Sequence, residues 1–573
     1  MADSGATRTL TVEFDVPARM RDGTILRANV YRPAGDGPWP VLLCRTPYGK
    51  DFAFAGAGID VVAATRRGYL VAIQDTRGRF GSAGDWRPMV HEAEDGADSV
   101  AWAATLPGAD GQVAMYGGSY LGFTQWAAAS QKPPALRAIA PFVTWSHPFD
   151  GMLFRGGALE LGLQASWQLQ TSVNEVTRRY EGDPAAQAAA IRELVADYDR
   201  LAERGFAELP LRSLSSLHRH GVGAAFFETV ARPLSRSDDT AAATAVHSWH
   251  DQITVPSFNI GGWHDIFLAG TIANYQATRD AGRPSKLLLG PWPHGPAANP
   301  VGEMNFGFAS QAGFIDLRTD LSSLQLDWFD RWLRGGDDTG APVTIFVMGA
   351  NEWRTEEDWP LERAVNTPFY LAPGAGLVRD LPTGGAADSY DYDPADPVPT
   401  LGGATLLTPE FRSGAFDQRR IEARPDVLTF TSAPLQQDLE VTGPVEVRLW
   451  ASSSAPDTDF VARLCDVFPD GRSINLTDGI IRGRYRNGIG DPALLEPGRP
   501  YEFSIDLWAT SNVFRAGHCI RLQVTSSSFP RWDRNPNTGH ELGADAEMQV
   551  AHQQIWHDTE HPSCVLLPVV PRS

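Results

Sequence analysis

Gly117-Gly118-Ser119-Tyr120-Leu121-Gly122 decides how this chain is read. The apolar run Val113-Ala114-Met115-Tyr116 enters it and the helix-forming run from Phe123 to Ser130 leaves it. A serine on a sharp turn between a strand and a helix is presented at the edge of a sheet as a nucleophile. Glycines suit such a turn because the backbone is strained there and the helix must pass close to the sheet. The closing glycine follows the serine by three residues, so the stretch departs from the usual G-x-S-x-G spacing. The reading predicts two partners, an acid and then a histidine, each just beyond a later strand.

The surroundings supply such strands. Thr24–Tyr31, Val41–Arg45 and Tyr69–Gln74 read as strands, Glu92–Ala104 as mostly helix, and Leu136–Val143 as a buried strand. Val255–Ile260 and Lys286–Leu289 repeat the short apolar run ending in glycine. Alternating β and α elements predict a mostly parallel sheet covered by helices, an α/β-hydrolase core. Between them, Trp145–Val246 has little β character, and Pro184–Glu203 is strongly helical. An insertion there predicts a helical cap over the carboxyl edge of the sheet. From Gly340 alternating runs such as Val445–Trp450, Tyr501–Leu507 and Ile520–Thr525 predict a β-sandwich of jelly-roll type. The expected division is residues 1–144 and 247–339 for the hydrolase core, 145–246 for the cap, and 340–573 for the jelly roll.

Bulk composition narrows the function. At 573 residues, 43% hydrophobic and 21% charged, the chain can build a large core without covalent staples. Its net charge of −20 argues against nucleic acid or an anionic membrane as a partner. No apolar run reaches a membrane-spanning length of about 18 residues, and the N-terminus lacks a signal core. Cys44, Cys465, Cys519 and Cys564 are far apart, which fits reduced thiols in a cytoplasmic protein.

Two residues answer the prediction made from the serine. Asp265 follows Val255–Ile260 in Gly261-Gly262-Trp263-His264-Asp265-Ile266-Phe267, and His294 follows Lys286–Leu289 in Gly290-Pro291-Trp292-Pro293-His294-Gly295. The order Ser, Asp, His is that of an α/β-hydrolase triad, in which the base takes the serine's proton. The competitors are out of place: His264 precedes the last strand, and Asp251 precedes its strand instead of following it. His218-x-His220, His247-x-x-His250 and His557-x-x-x-His561 have metal-like spacing but no converging Cys or carboxylate partners, so neither metal nor cofactor is expected.

These residues resemble a known family. Arg45–Lys50, Gln74–Arg79, Gly117–Gly122, Gly261–Phe267 and Gly290–His294 are similar to stretches of the cocaine esterase and X-prolyl dipeptidyl-peptidase family of serine hydrolases, as are Asp396–Gly403, Ala509–Phe514 and Ser528–Asn535. The resemblance spans nearly the whole chain. It implies the triad Ser119, Asp265 and His294. It also implies an oxyanion hole made by the Tyr48 hydroxyl and the Tyr120 backbone N–H, and a homodimer is compatible with it. Asp75 and Arg77 read as a buried ion pair bracing the site.

Family members acting on α-amino acid esters carry a glutamate where this chain has Leu121, which points to an apolar ester as substrate. Trp167 in the cap, Phe267 after the acid and Leu407 before the jelly roll are the pocket-lining candidates, with Trp145 and Trp263 behind them. A small-molecule ester is the expected partner. An X-Pro dipeptidyl-peptidase, amidase or α-amino acid ester hydrolase using the same triad is the enzymatic alternative. A binding jelly roll attached to an inert hydrolase is the non-enzymatic one.

Overall fold

The chain opens with β1 (Thr11–Arg19), β2 (Ile25–Arg32), β3 (Trp39–Thr46), α1 (Val61–Arg66), β4 (Leu70–Asp75), α2 (Glu92–Ala104), β5 (Ala109–Gly118), α3 (Tyr120–Ser130) and β6 (Leu136–Phe142). The computed structural model describes residues 10–52, 58–231, 243–295, 297–336 and 340–571. In β3 and β4 nearly every residue is buried, as a strand covered on both faces requires, and this is why they read as continuous apolar runs.

A helical insertion follows: the hairpin β7 (Phe154–Arg155) and β8 (Ala158–Leu159), then α4 (Leu161–Arg179), α5 (Pro184–Asp199), α6 (Ser215–His220) and α7 (Ala224–Ala231). Asp183 caps α5 by accepting from the Ala186 amide at 3.0 Å, with Pro184 in the first turn, where its missing N–H costs nothing. The predicted helix 184–203 is shorter: α5 stops at Asp199 and a π turn, Leu201–Gly205, follows.

The sheet resumes with β9 (Ser257–His264), α8 (Leu268–Asp280), β10 (Ser285–Pro293), α9 (Leu321–Arg334), β11 (Val343–Val347) and β12 (Glu352–Glu356). Its ten strands lie in the order β1-β2-β4-β3-β5-β6-β9-β10-β11-β12. From β4 to β11 the neighbours are parallel, and antiparallel pairs close both edges. β9 is longer than expected, because Gly261 and Gly262 pair with Leu289 and Gly290 of β10. A Cβ at Gly262 would sit 2.2 Å from the Trp292 carbonyl oxygen, so only glycine fits there.

The first sheet continues past residues 339 and 340, where the border between the hydrolase part and the all-β part is expected. β11 pairs in parallel with β10, and β12 turns back antiparallel on β11, so both extend the first sheet. The eleven strands from Val365–Ala372 to Cys564–Val570 form a second, largely antiparallel sheet system. Its long pair Leu439–Ser453 and Tyr501–Phe514 explains the alternating runs.

The β7–β8 hairpin docks the insertion onto this second system. Asp533 accepts from the Leu159 amide at 2.6 Å, and Glu160 accepts from Trp532 Nε1 at 2.8 Å. Arg155 donates to the Asp478 carbonyl at 2.6 Å. No helix among the described residues is long and apolar enough to cross a membrane.

Candidate active site

Ser119 sits between β5 and α3 with φ 58° and ψ −122°, a conformation that L-residues seldom adopt. Its surroundings over-determine that strain. The Ser119 amide donates to the Phe142 carbonyl at 2.8 Å, and its own carbonyl accepts from Thr144 Oγ1 at 2.9 Å and from the Gly122 and Phe123 amides. Gly117, at φ 130°, has no room for a side chain, since a Cβ there would lie 2.6 Å from Leu121 Cβ. A Cβ at Gly122 would meet Thr144 Cβ at 2.8 Å, so the glycine three residues after the serine lets α3 lie close to the chain leaving β6.

Asp265 and His294 follow the carboxyl ends of the adjacent parallel strands β9 and β10. Asp265 is fully buried, and its Oδ1 lies 2.7 Å from His294 Nδ1. The Phe267 ring stands edge-on to the His294 imidazole, with centroids 5.2 Å apart. His294 and Ser119 both line two cavities, one of about 640 Å³ and one of about 280 Å³, and Tyr48 lines both as well. A separate 220 Å³ cleft, at the opposite ends of β10 and β11 beside α9, contains none of these residues.

The smaller cavity lies under the insertion. Its walls include Tyr120, Trp145, Trp167, Phe267 and Leu407, and it also receives Met152, Leu163, Gln164 and Gln170. Leu121 faces the larger cavity instead, beside Phe142 and Val143. Trp263 is not a wall of either: its Nε1 donates to the Phe346 carbonyl at 2.7 Å and its ring packs on Trp359 in the core.

Tyr48 lies just past β3, its amide donating to Thr46 Oγ1 at 3.1 Å, and its hydroxyl accepts from Trp167 Nε1 at 3.1 Å. Burial pushes this phenol's pKa up, and the Trp167 bond pulls it back in part. Tyr120 begins α3, and a first-turn amide has no acceptor within its own helix. The Tyr120 hydroxyl accepts from the Met89 amide and donates to Glu92 Oε1, both at 2.8 Å, and Glu92 is in turn paired with Arg45 at 2.7 Å.

The expected Asp75–Arg77 pair does not form. β4 ends at Asp75 and the chain turns at once, with Gly78 at φ 70°, so the two side chains part. Asp75 accepts from the Lys50 and Gly81 amides at 2.6 and 3.1 Å, with Lys50 Nζ at 3.4 Å. Arg77 pairs with Asp95 at 2.6 Å and Asp22 at 2.7 Å.

The cation that does brace the site is Arg79, which donates to the carbonyls of Pro47 at 2.8 Å and Thr171 at 3.0 Å. It stands in the quoted Gln74–Arg79 stretch, but its partners are main-chain groups that no side-chain pattern reveals. Among the spaced histidines, His220 meets Asp197 at 2.8 Å, His250 meets Asn274 at 2.9 Å and His557 meets Asp388 at 3.0 Å. His264 is buried with neither ring nitrogen hydrogen-bonded, and burial lowers its pKa to about 4.

Known proteins share this architecture. Residues 22–296 match the X-Pro dipeptidyl-peptidase (S15 family) model, and residues 336–566 match the X-Pro dipeptidyl-peptidase C-terminal non-catalytic domain. The chain is 39% identical to the cocaine esterase of Rhodococcus sp. (strain MB1 Bresler), over 98% of this chain and 99% of that one. It superposes on an aminopeptidase from a marine sediment Thaumarchaeota archaeon with a TM-score of 0.80 and 26% identity, covering 100% and 98% of the two chains. An α-amino acid ester hydrolase superposes with a TM-score of 0.79 and 26% identity, covering 99% and 98%. Both the hydrolase sheet and the all-β region after it are thus matched from end to end, and the chain belongs to the cocaine esterase and X-Pro dipeptidyl-peptidase (S15) family of serine hydrolases.

Proposed function

We propose that the protein hydrolyses small carboxylic esters with flat, apolar acyl groups through an acyl-enzyme on Ser119. The observation that carries this reading is the 280 Å³ cavity. It joins Ser119, His294 and Tyr48 to the aromatic faces of Trp145, Trp167 and Phe267, and no carboxylate is among its described lining residues.

In the proposed reaction Ser119 Oγ attacks the ester carbonyl and His294 takes its proton at Nε2. Asp265 accepts from His294 Nδ1–H, which fixes the tautomer and steadies the imidazolium. The tetrahedral oxyanion receives the Tyr48 hydroxyl and the Tyr120 backbone N–H; a single donor of this kind is worth roughly 3–4 kcal/mol. His294 then protonates the departing alcohol. Water, deprotonated by the same imidazole, releases the acid. We also assign jelly-roll topology to the second sheet system and end the hydrolase part after Glu356.

A substrate carrying an ammonium group needs a free carboxylate near the serine. Asp320 lines the larger cavity, but it caps α9, accepting from the Ser323 amide at 2.8 Å and from Ser323 Oγ at 2.7 Å. This favours the apolar ester over the aminopeptidase reading. Rates on p-nitrophenyl benzoate, a phenylalanine ester and an X-Pro p-nitroanilide separate the two: the benzoate is expected to be turned over fastest by kcat/KM, and a faster nitroanilide overturns the proposal. Ser119→Ala should abolish turnover and fluorophosphonate labelling while the fold survives.

A further inference from the structure

We infer that Trp167, on cap helix α4, is a positioning residue for the Tyr48 hydroxyl, so that the cap supplies a working part of the oxyanion hole. This rests on the reading of Tyr48 as an oxyanion donor given above.

The hydrogen bond between the two residues can run in only one direction. An indole N–H donates and has no lone pair to offer, whereas a phenol oxygen both donates and accepts. At 3.1 Å, Trp167 Nε1–H therefore occupies a lone pair of Tyr48 Oη. The phenolic proton is turned away from the indole hydrogen, and among the described residues none accepts it. It is held free for an acceptor arriving in the cavity, as a donor aimed at a developing oxyanion must be. The accepted bond also polarises the phenol, because linked hydrogen bonds strengthen one another in a water-poor site.

Two further contacts tie Trp167 to the same task. Its ring stacks on Tyr120, with centroids 6.4 Å apart and planes 19° apart, and the Tyr120 ring stands edge-on to Tyr48 at 6.4 Å. The side chains of both proposed oxyanion donors are thus in contact with one indole. Arg79, almost wholly buried, then locks the two chain segments together. It donates to the Pro47 carbonyl, one residue before Tyr48, and to the Thr171 carbonyl, one turn beyond Trp167 on α4. A wall residue that only shaped the acyl cavity would need neither the directed bond nor this clamp.

A double-mutant cycle on p-nitrophenyl benzoate tests the inference. Trp167→Phe keeps an aromatic wall and deletes the N–H. It is expected to lower kcat about 5- to 10-fold, the worth of one ordinary hydrogen bond, with KM changed less than about 2-fold. Tyr48→Phe is expected to lower kcat about 100-fold or more. In the Tyr48→Phe background, Trp167→Phe should then cost nothing further, since the bond it removes is already gone. Arg79→Lys, which cannot span both carbonyls, should follow the same pattern.

Equal losses from Trp167→Phe in both backgrounds, or a raised KM at unchanged kcat, overturn the inference and leave Trp167 as a cavity wall. An unchanged kcat in Tyr48→Phe instead overturns the reading of Tyr48 itself, so the two failures are distinguishable.

Discussion

Glu160→Gln should stabilise the protein above neutral pH and have little effect in acid. Glu160 follows the β7–β8 hairpin and is fully buried where the insertion meets the second sheet system. Its Oε1 accepts from Trp532 Nε1 at 2.8 Å, while its Oε2 stands 3.9 Å from Arg531 Nε and has no hydrogen-bond partner. Arg531 is committed elsewhere, donating to Asp478 at 2.6 Å. Burial raises the Asp478 carboxyl too, but Arg531, Arg463 and Arg155 together hold it below the ordinary range. At Glu160 burial outweighs the pull of Arg531, Trp532 and Arg155 and lifts the carboxyl from 4.5 to about 7.

A carboxyl raised on folding holds its proton in the native state at pH values where the unfolded chain has already lost it. Its contribution to stability is therefore complete below about pH 4.5 and is lost as pH climbs through about 7. The span between those values corresponds to roughly 3 kcal/mol of stability lost by pH 8. Glutamine keeps the carbonyl that Trp532 needs and removes the ionisation. The midpoint of urea unfolding, measured in steps from pH 4.5 to 8 for parent and variant, should show a gap that opens in favour of Glu160→Gln as pH rises. A flat gap refutes the reasoning. A variant weaker than its parent at pH 8 shows instead that an ionised Glu160 pairs usefully with Arg531.

Three other outcomes are expected. Asp265→Asn should leave the fold intact and lower kcat about 10⁴-fold in an ester assay, because the amide presents His294 with the wrong tautomer. His264→Leu should gain stability in acid: burial holds this histidine's pKa near 4, so the unfolded chain gains a proton between about 6.5 and 4 that the native state refuses. The variant's advantage in urea midpoint should grow by up to roughly 3 kcal/mol on going from pH 7 to 4. Gly117→Ala should fail to give soluble, active protein, since the added Cβ would overlap Leu121 at a backbone φ that disfavours a side chain; an active, well-folded variant would show that the elbow can relax.

The sequence was most legible where chemistry and backbone geometry depend on the same residues. Gly117 and Gly122 are needed because the chain passes within contact distance of Leu121 and Thr144, and these glycines, with the strand before Ser119 and the helix after it, made the elbow legible. Asp265 and His294 were found by their order after buried parallel strands, and β9 and β10 do lie side by side with the two residues at their ends. Apart from the Asp265–His294 pair, side-chain pairing around the site was not legible. Asp75 and Arg77, two positions apart at the end of β4, read as partners, but the turn after the strand separates them. Arg79 bonds to two carbonyls, and every residue carries a carbonyl, so no residue type marked its partners. The continuation of the first sheet into β11 and β12 was not legible either, because no helix separates that hairpin from the strands after it.

The division of the site between two cavities gives Leu121 a meaning that its position in the motif alone did not. The residue lies two places after the nucleophile, yet the turn of α3 sends it into the larger cavity, while Tyr120 lines the smaller, aromatic one. A glutamate in place of Leu121 would therefore put its charge in the larger cavity, not among Trp145, Trp167 and Phe267. It would act on whichever substrate group occupies the larger cavity, where Asp320, the carboxylate among the described lining residues, is already bonded to Ser323. On the proposed function, selectivity against an ammonium group would have two separate sources: an aromatic cavity with no carboxylate in its described lining, and a larger cavity whose lining acid caps a helix. Replacing Leu121 alone would change the second source and leave the first in place.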